Sequence, residues 1–214
     1  MVEFMYYILR REVKVTKNII TPEKTAITNG ISTTCKMISN DFKENRDNIK
    51  ILDYGCGRLR NTKHLLSERF NVSIIDTPTQ IENQRPTINE LGITNVYDTN
   101  NIPEEKFDII LCSFVLNVVP NKEDRDNILY NISKLLKNNG IAYIEVRDDK
   151  FVKSLKNKEI FNDGLLTGEG RTKTFQKPYN IEEFKEYLNH FSFNIDKVKK
   201  GSNSIIAIVK TKEV

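Results

Sequence analysis

The segment spanning residues 50–60 constrains the fold of this chain more strongly than any other. A short apolar run ends in Asp53, and Gly55 and Gly57 follow it with one residue between them. The next apolar run ends in Asp76, 23 residues after Asp53. A strand, a tight glycine turn, a helix and a strand ending in a carboxylate form half of a nucleotide-binding βαβ unit. The glycines let the backbone approach a ligand that a Cβ atom would block, and the second carboxylate is placed to accept hydrogen bonds from ribose hydroxyls.

Strands and helices alternate along the chain after this motif. Apolar runs predict strands over residues 49–54, 72–76, 95–98, 107–114 and 141–146. Helical spacing predicts helices over residues 61–69, over 81–91 with an interruption at Pro86, and over 122–137 with a terminating turn at 138–140. This alternation predicts a parallel sheet with helices on both faces.

The two ends of the chain carry weaker signals. Residues 1–20 suit a strand or hairpin, Thr21 is placed as the N-cap of a helix, and residues 32–45 are predicted to be helical. Residues 148–173 are charged and glycine-bearing and are predicted to form a loop. Residues 174–176 then start a sixth strand, 181–190 form a helix, and 193–199 and 204–210 form two final strands.

Composition narrows the class of protein. A length of 214 residues suggests one domain, and no apolar stretch approaches the roughly 20 residues of a membrane span. The first residues carry charges and lack a small-residue cleavage site, so no signal peptide is expected. Cys35, Cys56 and Cys112 lack metal-ligand spacing, which predicts reduced cysteines, a cytoplasmic protein and no metal. The net charge of +4 permits binding to nucleic acid or to an acidic small molecule and demands neither.

Several ordered features give the chain its resemblance to a known family. They are the Asp53-x-Gly55-x-Gly57 turn, Asp76, Asp98-Thr99 after the third strand, the fourth-strand segment 108–117 and the segment 136–141. Together they resemble the class I S-adenosylmethionine-dependent methyltransferases over roughly residues 48–212. The resemblance implies a Rossmann-like α/β fold, with a seven-stranded, mostly parallel sheet, helices on both faces and an antiparallel C-terminal strand. It divides the chain into a mostly helical N-terminal extension, 1–47, that caps the cofactor site, and a cofactor-binding domain, 48–214.

Two positions set this chain apart from related patterns. Arg60 stands where the dinucleotide fingerprint Gly-x-Gly-x-x-Gly has its last glycine, so that fingerprint fails. Leu59 stands where the methyltransferase motif often has a third glycine, and a stiffer loop is expected there. More narrowly, residues 20–26, 113–120 and 174–179 resemble small bacterial and phage methyltransferases found near DNA-modification genes.

The family resemblance implies S-adenosylmethionine as cofactor, S-adenosylhomocysteine as product and no metal. The expected cofactor-binding residues are Asp53, Tyr54, Gly55, Cys56 and Gly57 at the methionine end, Asp76 and Thr77 at the ribose, Asp98 and Thr99 at the adenine, Ser113 and Phe114 on the pocket floor, and Lys24 at the methionine carboxylate. Asp76 has an alternative role as a helix cap or turn residue. Asp98 begins a sequence that is also typical of a turn.

The methyl acceptor is less constrained. Candidate catalytic residues are Asn117, Arg171 and Tyr179. Asn117 follows the fourth strand, where amino-methyltransferases carry Asp/Asn-Pro-Pro-Tyr/Phe, but this chain reads Asn-Val-Val-Pro, so that activity is not carried over. The segment 171–179 mixes basic and aromatic residues, which suits phosphate contacts and base stacking and equally suits an acidic or aromatic small molecule.

We therefore expect a nucleic acid, DNA or RNA, as acceptor in preference to a small molecule. The alternatives are a small-molecule methyltransferase and a non-catalytic cofactor-binding module. No membrane partner is expected, and the sequence does not determine the oligomeric state. His64 and His190 are interpreted as structural.

Overall fold

The computed structural model describes residues 20, 22–27, 29–170 and 173–212. The predictions for residues 1–19, Thr21 and Arg171 therefore fall outside the described residues. The strands are β1 (Lys50–Tyr54), β2 (Asn71–Asp76), β3 (Val96–Asp98), β4 (Phe107–Ser113), β5 (Leu136–Arg147), β6 (Glu159–Phe161), β7 (Gly164–Thr167), β8 (Thr174–Gln176), β9 (Phe193–Lys200) and β10 (Ser204–Thr211). The helices are α1 (Thr33–Asp41), α2 (Arg60–Ser67), α3 (Pro78–Glu90), α4 (Lys122–Leu135), α5 (Asp149–Ser154) and α6 (Ile181–Asn189), with short 3₁₀ helices at Pro22–Thr25 and Arg46–Asn48.

Within the described residues, seven strands form one sheet in the order β3-β2-β1-β4-β5-β10-β9. Strands β1 to β5 run parallel to one another in this sheet. Strand β10 enters between β5 and β9 and runs antiparallel to both. The predicted Rossmann-like fold is confirmed, and the carboxyl ends of β1, β2, β4 and β5 meet at one edge of the sheet.

Two hydrophobic clusters cover the two faces of the sheet, because successive side chains of a strand point to opposite faces. The first cluster contains Leu52 and Ile110 and is closed by α4 and α6. The second cluster contains Ile51 and Ile109 and is closed by α1, α2 and α3. Helix α1, predicted to belong to an N-terminal extension, packs directly on the sheet.

Two predicted helices and several element boundaries differ from the structure. Helix α4 ends at Leu135, and β5 begins at the next residue, so residues 138–140 lie in a strand and do not form a terminating turn. Helix α3 continues through Pro86, which lies on its exposed side, where water can satisfy the carbonyl group that proline leaves free. Elsewhere, the predicted bounds of strands and helices differ from the observed bounds by a few residues.

Residues 148–173 were predicted to be a loop, and this prediction is wrong. They contain α5, β6 and β7, and β7 pairs with β8 to complete a small antiparallel sheet of three strands in this part of the chain. Residues 174–176 therefore belong to the small sheet and not to the large one. Gly164 permits this packing, because a Cβ atom there would lie 2.5 Å from the Phe175 ring. Among the described residues, no helix is long and apolar enough to cross a membrane.

Candidate functional site

A cavity of about 370 Å³ opens at the carboxyl ends of β1, β2, β4 and β5. This is the edge at which open α/β sheets bind their ligands, and the volume lies within the usual range for small-molecule sites, about 300–1,000 Å³. Residues 22–27 cover one side of it. Most predicted cofactor residues line the cavity: Tyr54, Gly55, Cys56, Gly57, Asp76, Thr77, Thr99, Ser113 and Phe114. Lys24, Asp53 and Asp98 do not.

The glycine turn after β1 brings backbone to the cavity wall. Gly55 has φ +76°, and its amide donates a hydrogen bond to the Ile75 carbonyl at 2.8 Å. A Cβ atom on Gly55 would lie only 2.3 Å from Cγ2 of Val115. Glycine is therefore required there by both the backbone conformation and the close approach of the segment after β4.

Leu59 ends this turn in the left-handed region, with φ 61° and ψ 22°. That conformation costs a residue with a Cβ atom roughly 1–2 kcal/mol. The Leu59 side chain is fully buried in the second cluster, and burial of a leucine side chain contributes about 1.5–3 kcal/mol. Burial thus offsets the strain at the position where related motifs often have glycine.

Asp53 has a structural place beneath the turn. It is 1% exposed, and its Oδ2 accepts a hydrogen bond from the Thr62 hydroxyl at 2.6 Å, which ties β1 to α2. Burial raises the pKa of Asp53 to about 6. The structure therefore brings Asp53 to the base of the turn and not to the cavity surface.

The end of β2 forms an acidic corner of the cavity. Asp76 Oδ2 accepts from the Gly57 amide and Oδ1 from the Thr77 amide, both at 2.7 Å. Burial raises the pKa of Asp76 to about 6. The Thr77 hydroxyl donates to Glu23 Oε1 at 2.7 Å, so a second carboxylate stands in this corner. Sequence reasoning missed Glu23, which shares its segment with the predicted Lys24.

Asp98 adopts the alternative turn role. Its Oδ1 accepts from the backbone amides of Asn100 and Asn101 at 2.8 and 3.1 Å. Its neighbour Thr99 lines the cavity, and the Thr99 amide donates to the Asp76 carbonyl at 3.0 Å. The structure therefore brings Thr99, without the Asp98 carboxylate, to the acidic corner.

Hydrogen bonds join the cavity floor to α1. The hydroxyl groups of Ser113 and Thr34 lie 2.6 Å apart. The backbone amide and hydroxyl of Thr34 donate to Oε2 of Glu145 at 3.1 and 3.0 Å, and the Ser204 hydroxyl donates to Oε1 at 2.8 Å. This buried network joins α1, β4, β5 and β10 beneath the cavity.

The opposite end of the cavity is basic and aromatic. The Arg147 guanidinium carbon lies 4.2 Å from the ring centroid of Phe114 and 4.5 Å from that of Phe151. The Arg60 guanidinium carbon lies 5.7 Å from the Phe114 ring centroid, and Arg60 Nη1 donates to the Gly30 carbonyl. Sequence reasoning used Arg60 only to exclude a dinucleotide fingerprint, and it missed Arg147 and Phe151.

Asn117 lines the cavity on the same side. It is 1% exposed, and its Nδ2 donates to Oε1 of Gln176 at 3.0 Å. Among the described residues its Oδ1 has no hydrogen-bond partner. Gln176, at the end of β8, was not predicted, and it also lines the cavity.

The described part of this segment, residues 173–179, does not form the expected basic and aromatic surface. Lys173 pairs with Glu159, and Lys177 pairs with Glu183. Tyr179 is 1% exposed and packs in the first cluster, away from the lining of the large cavity. Its hydroxyl, unpartnered among the described residues, borders a second cavity of about 240 Å³. The observation that favoured a nucleic-acid acceptor is therefore lost.

The two histidines lie outside the large cavity. The Nε2 atom of His64 lies 3.0 Å from the Ser39 hydroxyl, which joins α2 to α1. His190 caps the C-terminus of α6 and borders the second cavity.

Comparison with known proteins agrees with this geometry. A family model described as a methyltransferase domain matches residues 32–198. The chain is 30% identical over 106 residues to the uncharacterized protein YmfD of Escherichia coli K12, a match covering 44% of this chain and 48% of that protein. It is 30% identical over 112 residues to a ubiquinone biosynthesis O-methyltransferase of Rickettsia conorii, covering 50% of this chain and 36% of that protein. The chain thus spans about half or less of the curated relatives it matches.

A solved structure extends the likeness to the whole fold. An S-adenosylmethionine-dependent methyltransferase from Clostridium acetobutylicum superposes with a TM-score of 0.65 at 16% identity. The superposition covers 98% of this chain and 99% of that one. At this identity the likeness shows a shared fold.

Proposed function

The chain belongs to the methyltransferase domain family, and on that premise we propose that it is an S-adenosylmethionine-dependent methyltransferase. The observation that carries the proposal is the pairing of a Cβ-free backbone turn at Gly55 with the Asp76 carboxylate in one cavity. This pair fits an adenosyl ligand, because the turn brings the backbone of Gly55 and Gly57 to the cavity wall and a carboxylate accepts from ribose hydroxyls. Asp76 accepts two backbone hydrogen bonds and keeps acceptor capacity for a ligand.

The two ends of the cavity suit the two ends of this cofactor. The acidic corner, formed by Glu23, Asp76 and Thr99, would hold the ribose and the adenine. Arg60 stands at the first residue of α2, directly after the glycine turn, where its guanidinium would hold the methionine carboxylate. In this proposal Arg60 takes the role that the sequence assigned to Lys24. Residues 22–27 would cap the cofactor from the other side.

Positioning is the main contribution that these residues make to catalysis. The sulfonium of the cofactor supplies an already activated methyl group for in-line displacement. Among the described lining residues, the carboxylates are Glu23 and Asp76, and both lie in the acidic corner. Phe114, Asn117 and Gln176 would orient the acceptor, and such orientation contributes about 7–11 kcal/mol in well-aligned model reactions.

For the acceptor, we favour a small molecule over a nucleic acid. In the described part of the segment that suggested nucleic acid, residues 173–179, the lysines are paired and the aromatic rings are buried. The residues proposed to orient the acceptor line a cavity. The Rickettsia conorii relative, whose name places it in ubiquinone biosynthesis, is consistent with this choice. The resemblance to methyltransferases found near DNA-modification genes does not decide the acceptor.

Calorimetry with S-adenosylhomocysteine tests the cofactor assignment. Asp76→Asn should weaken binding by roughly 10–150-fold, because hydrogen bonds to a charged group contribute about 1.5–3 kcal/mol. Asp98→Asn is the matched control, since Asp98 stands opposite Asp76 in the adjacent strand and does not line the cavity. Its affinity should stay within about twofold of wild type. Thermal unfolding of both variants checks that each is folded.

The outcomes separate the alternatives. Absence of binding at millimolar S-adenosylhomocysteine would refute the enzyme and the cofactor-binding module together. Binding that is unchanged in Asp76→Asn would refute the ribose assignment alone. Radiolabelled methyl transfer onto lysate separated into nucleic acid, protein and small molecules then distinguishes an enzyme from a non-catalytic module.

A further inference from the structure

Arg147 occupies an unusual position at the end of β5. Its guanidinium carbon lies 4.2 and 4.5 Å from the ring centroids of Phe114 and Phe151. Both rings therefore contact the guanidinium, which carries five N–H donors in its plane. The residue is half-buried and lines the large cavity.

Among the described residues, no hydrogen bond or ion pair holds the Arg147 guanidinium. The two acids nearest in sequence are engaged elsewhere. Asp148 accepts from the Phe151 amide at 2.7 Å and lies 3.6 Å from the ammonium of Lys200. Both oxygens of Glu145 accept from the hydroxyl groups of Thr34 and Ser204 beneath the cavity. The donors of Arg147 are therefore available to a ligand.

The surroundings of Arg147 favour an anion. Burial lowers the pKa of Arg147, Glu145 raises it, the nearby Arg60 lowers it, and Asp148 makes the smallest contribution by raising it. A negative group in the cavity would relieve both the desolvation and the repulsion between the two guanidinium groups. A planar guanidinium matches carboxylate and phosphate geometry with paired hydrogen bonds.

The position of Arg147 in the sheet separates it from the proposed cofactor contacts. Arg60 follows the turn after β1, whereas Arg147 ends β5, two strands away across β4. Phe114, which follows β4, contacts both guanidinium groups with its ring, at 5.7 Å from Arg60 and 4.2 Å from Arg147. The cavity lining beside Arg147 comes from the segment after β4, from α5 and from the small sheet: Asn117, Val118, Phe151, Leu155, Thr167 and Gln176.

We infer that Arg147 binds a carboxylate or phosphate group of the methyl acceptor, so that the acceptor is an anionic small molecule. This inference rests on the proposed function. Phe151 and Leu155 offer apolar contact to the body of such a molecule, and contact with two aromatic rings restrains the guanidinium. The anionic group would anchor the acceptor with its nucleophile turned toward the methyl group.

The test measures the binding of small probes to protein saturated with S-adenosylhomocysteine. Benzoate and phenyl phosphate are the anionic probes, benzamide is the neutral one, and a single-stranded DNA 12-mer represents nucleic acid. The variants are Arg147→Met, which removes the charge, and Arg147→Lys, which keeps the charge without the paired donors. Lys150→Met is the control, because Lys150 is an exposed cation three residues from Arg147 that does not line the cavity.

We expect at least one anionic probe to bind more tightly than benzamide. The tighter of the two anionic probes then shows whether the site prefers a carboxylate or a phosphate. Its dissociation constant should rise at least about tenfold in Arg147→Met and by a smaller factor in Arg147→Lys. Affinity for S-adenosylhomocysteine should stay within about twofold in both variants, and Lys150→Met should change neither affinity. If Arg147→Met fails to fold, Arg147→Lys and wild type still give the comparison.

Three results would overturn the inference. Anionic probes that bind no better than benzamide, or equally well to wild type and both Arg147 variants, would show that Arg147 only packs. A 12-mer that binds more tightly than either small anion would place a nucleic acid there. Loss of S-adenosylhomocysteine affinity in Arg147→Met would assign the side chain to the cofactor. Failure of wild type to bind S-adenosylhomocysteine would instead refute the proposed function on which the inference rests.

Discussion

Leu59 allows a sharp test of how backbone strain and burial balance in the cofactor turn. Its side chain is fully buried, so Leu59→Ala should cost about 2–5 kcal/mol of unfolding free energy. Leu59→Gly also removes the buried Cβ that alanine keeps, which costs about 0.8 kcal/mol, but it relieves a left-handed backbone with φ 61°. That relief contributes roughly 1–2 kcal/mol, and the greater freedom of glycine in the unfolded chain costs about 0.4–1 kcal/mol. These amounts nearly cancel, so the glycine variant should be as stable as the alanine variant to within roughly 0.5 kcal/mol.

Leu65 is the matched control for this comparison. It is fully buried in the same second cluster, but it lies inside α2 with helical backbone. There, glycine should be less stable than alanine by about 0.8–1 kcal/mol. Urea unfolding followed by circular dichroism, with a common slope for all four variants, measures the two differences. If Leu59→Gly were less stable than Leu59→Ala by the margin seen at Leu65, the strain argument would be refuted.

Two further predictions concern groups beside the same turn. The folded-state pKa of Asp53, raised to about 6 by burial, exceeds its unfolded value of about 3.9, so its stabilising contribution is full below about pH 4 and is lost as the pH rises through 6. Between about pH 4 and pH 7, the unfolding free energy of wild type should therefore fall by about 3 kcal/mol more than that of Asp53→Asn. Equal falls in the two proteins would contradict this. Gly55→Ala should cost about 2–4 kcal/mol, since it combines a φ of +76° with a contact of 2.3 Å to Val115. Adding Val115→Ala should recover only the part due to the clash, and a double variant as unstable as the single one would show that the clash is absent.

Local patterns explain why much of the fold could be predicted from the sequence. The strands β1, β2 and β4 are short apolar runs that end in turn or acidic residues, and each signal lies within a few neighbouring positions. Gly55 and Asp76 were predictable for the same reason, because a parallel sheet always places the ends of such strands at one edge. The small sheet was missed, since β6 to β8 are three or four residues long and pair with each other across a turn and residues 168–173.

Side-chain direction explains why some predicted site residues do not line the large cavity. Asp98 and Thr99 are adjacent, yet only Thr99 faces the cavity, because the Asp98 carboxylate is taken by the amides of the following turn. Tyr179 follows a basic and aromatic segment in sequence, but packing against Phe184 and Tyr187 holds its ring in the core. Such choices depend on which neighbours the tertiary fold supplies, and a single sequence does not state them.

The charge pattern of β5 shows why the anion site is open and not internally neutralised. Glu145 and Arg147 are two residues apart in this strand, so their side chains leave the same face of the sheet. Glu145 is buried, and its carboxylate accepts hydrogen bonds from α1 and β10. It raises the pKa of both Arg60 and Arg147, although it forms no ion pair with either among the described contacts. Asp53 also raises the pKa of Arg60, and Asp148 that of Arg147, but neither forms an ion pair with those groups among the described contacts. The carboxylates that line the described cavity, Glu23 and Asp76, lie in the acidic corner, so on the proposed assignment the anions that pair with the two guanidinium groups are the cofactor carboxylate at Arg60 and the acceptor at Arg147.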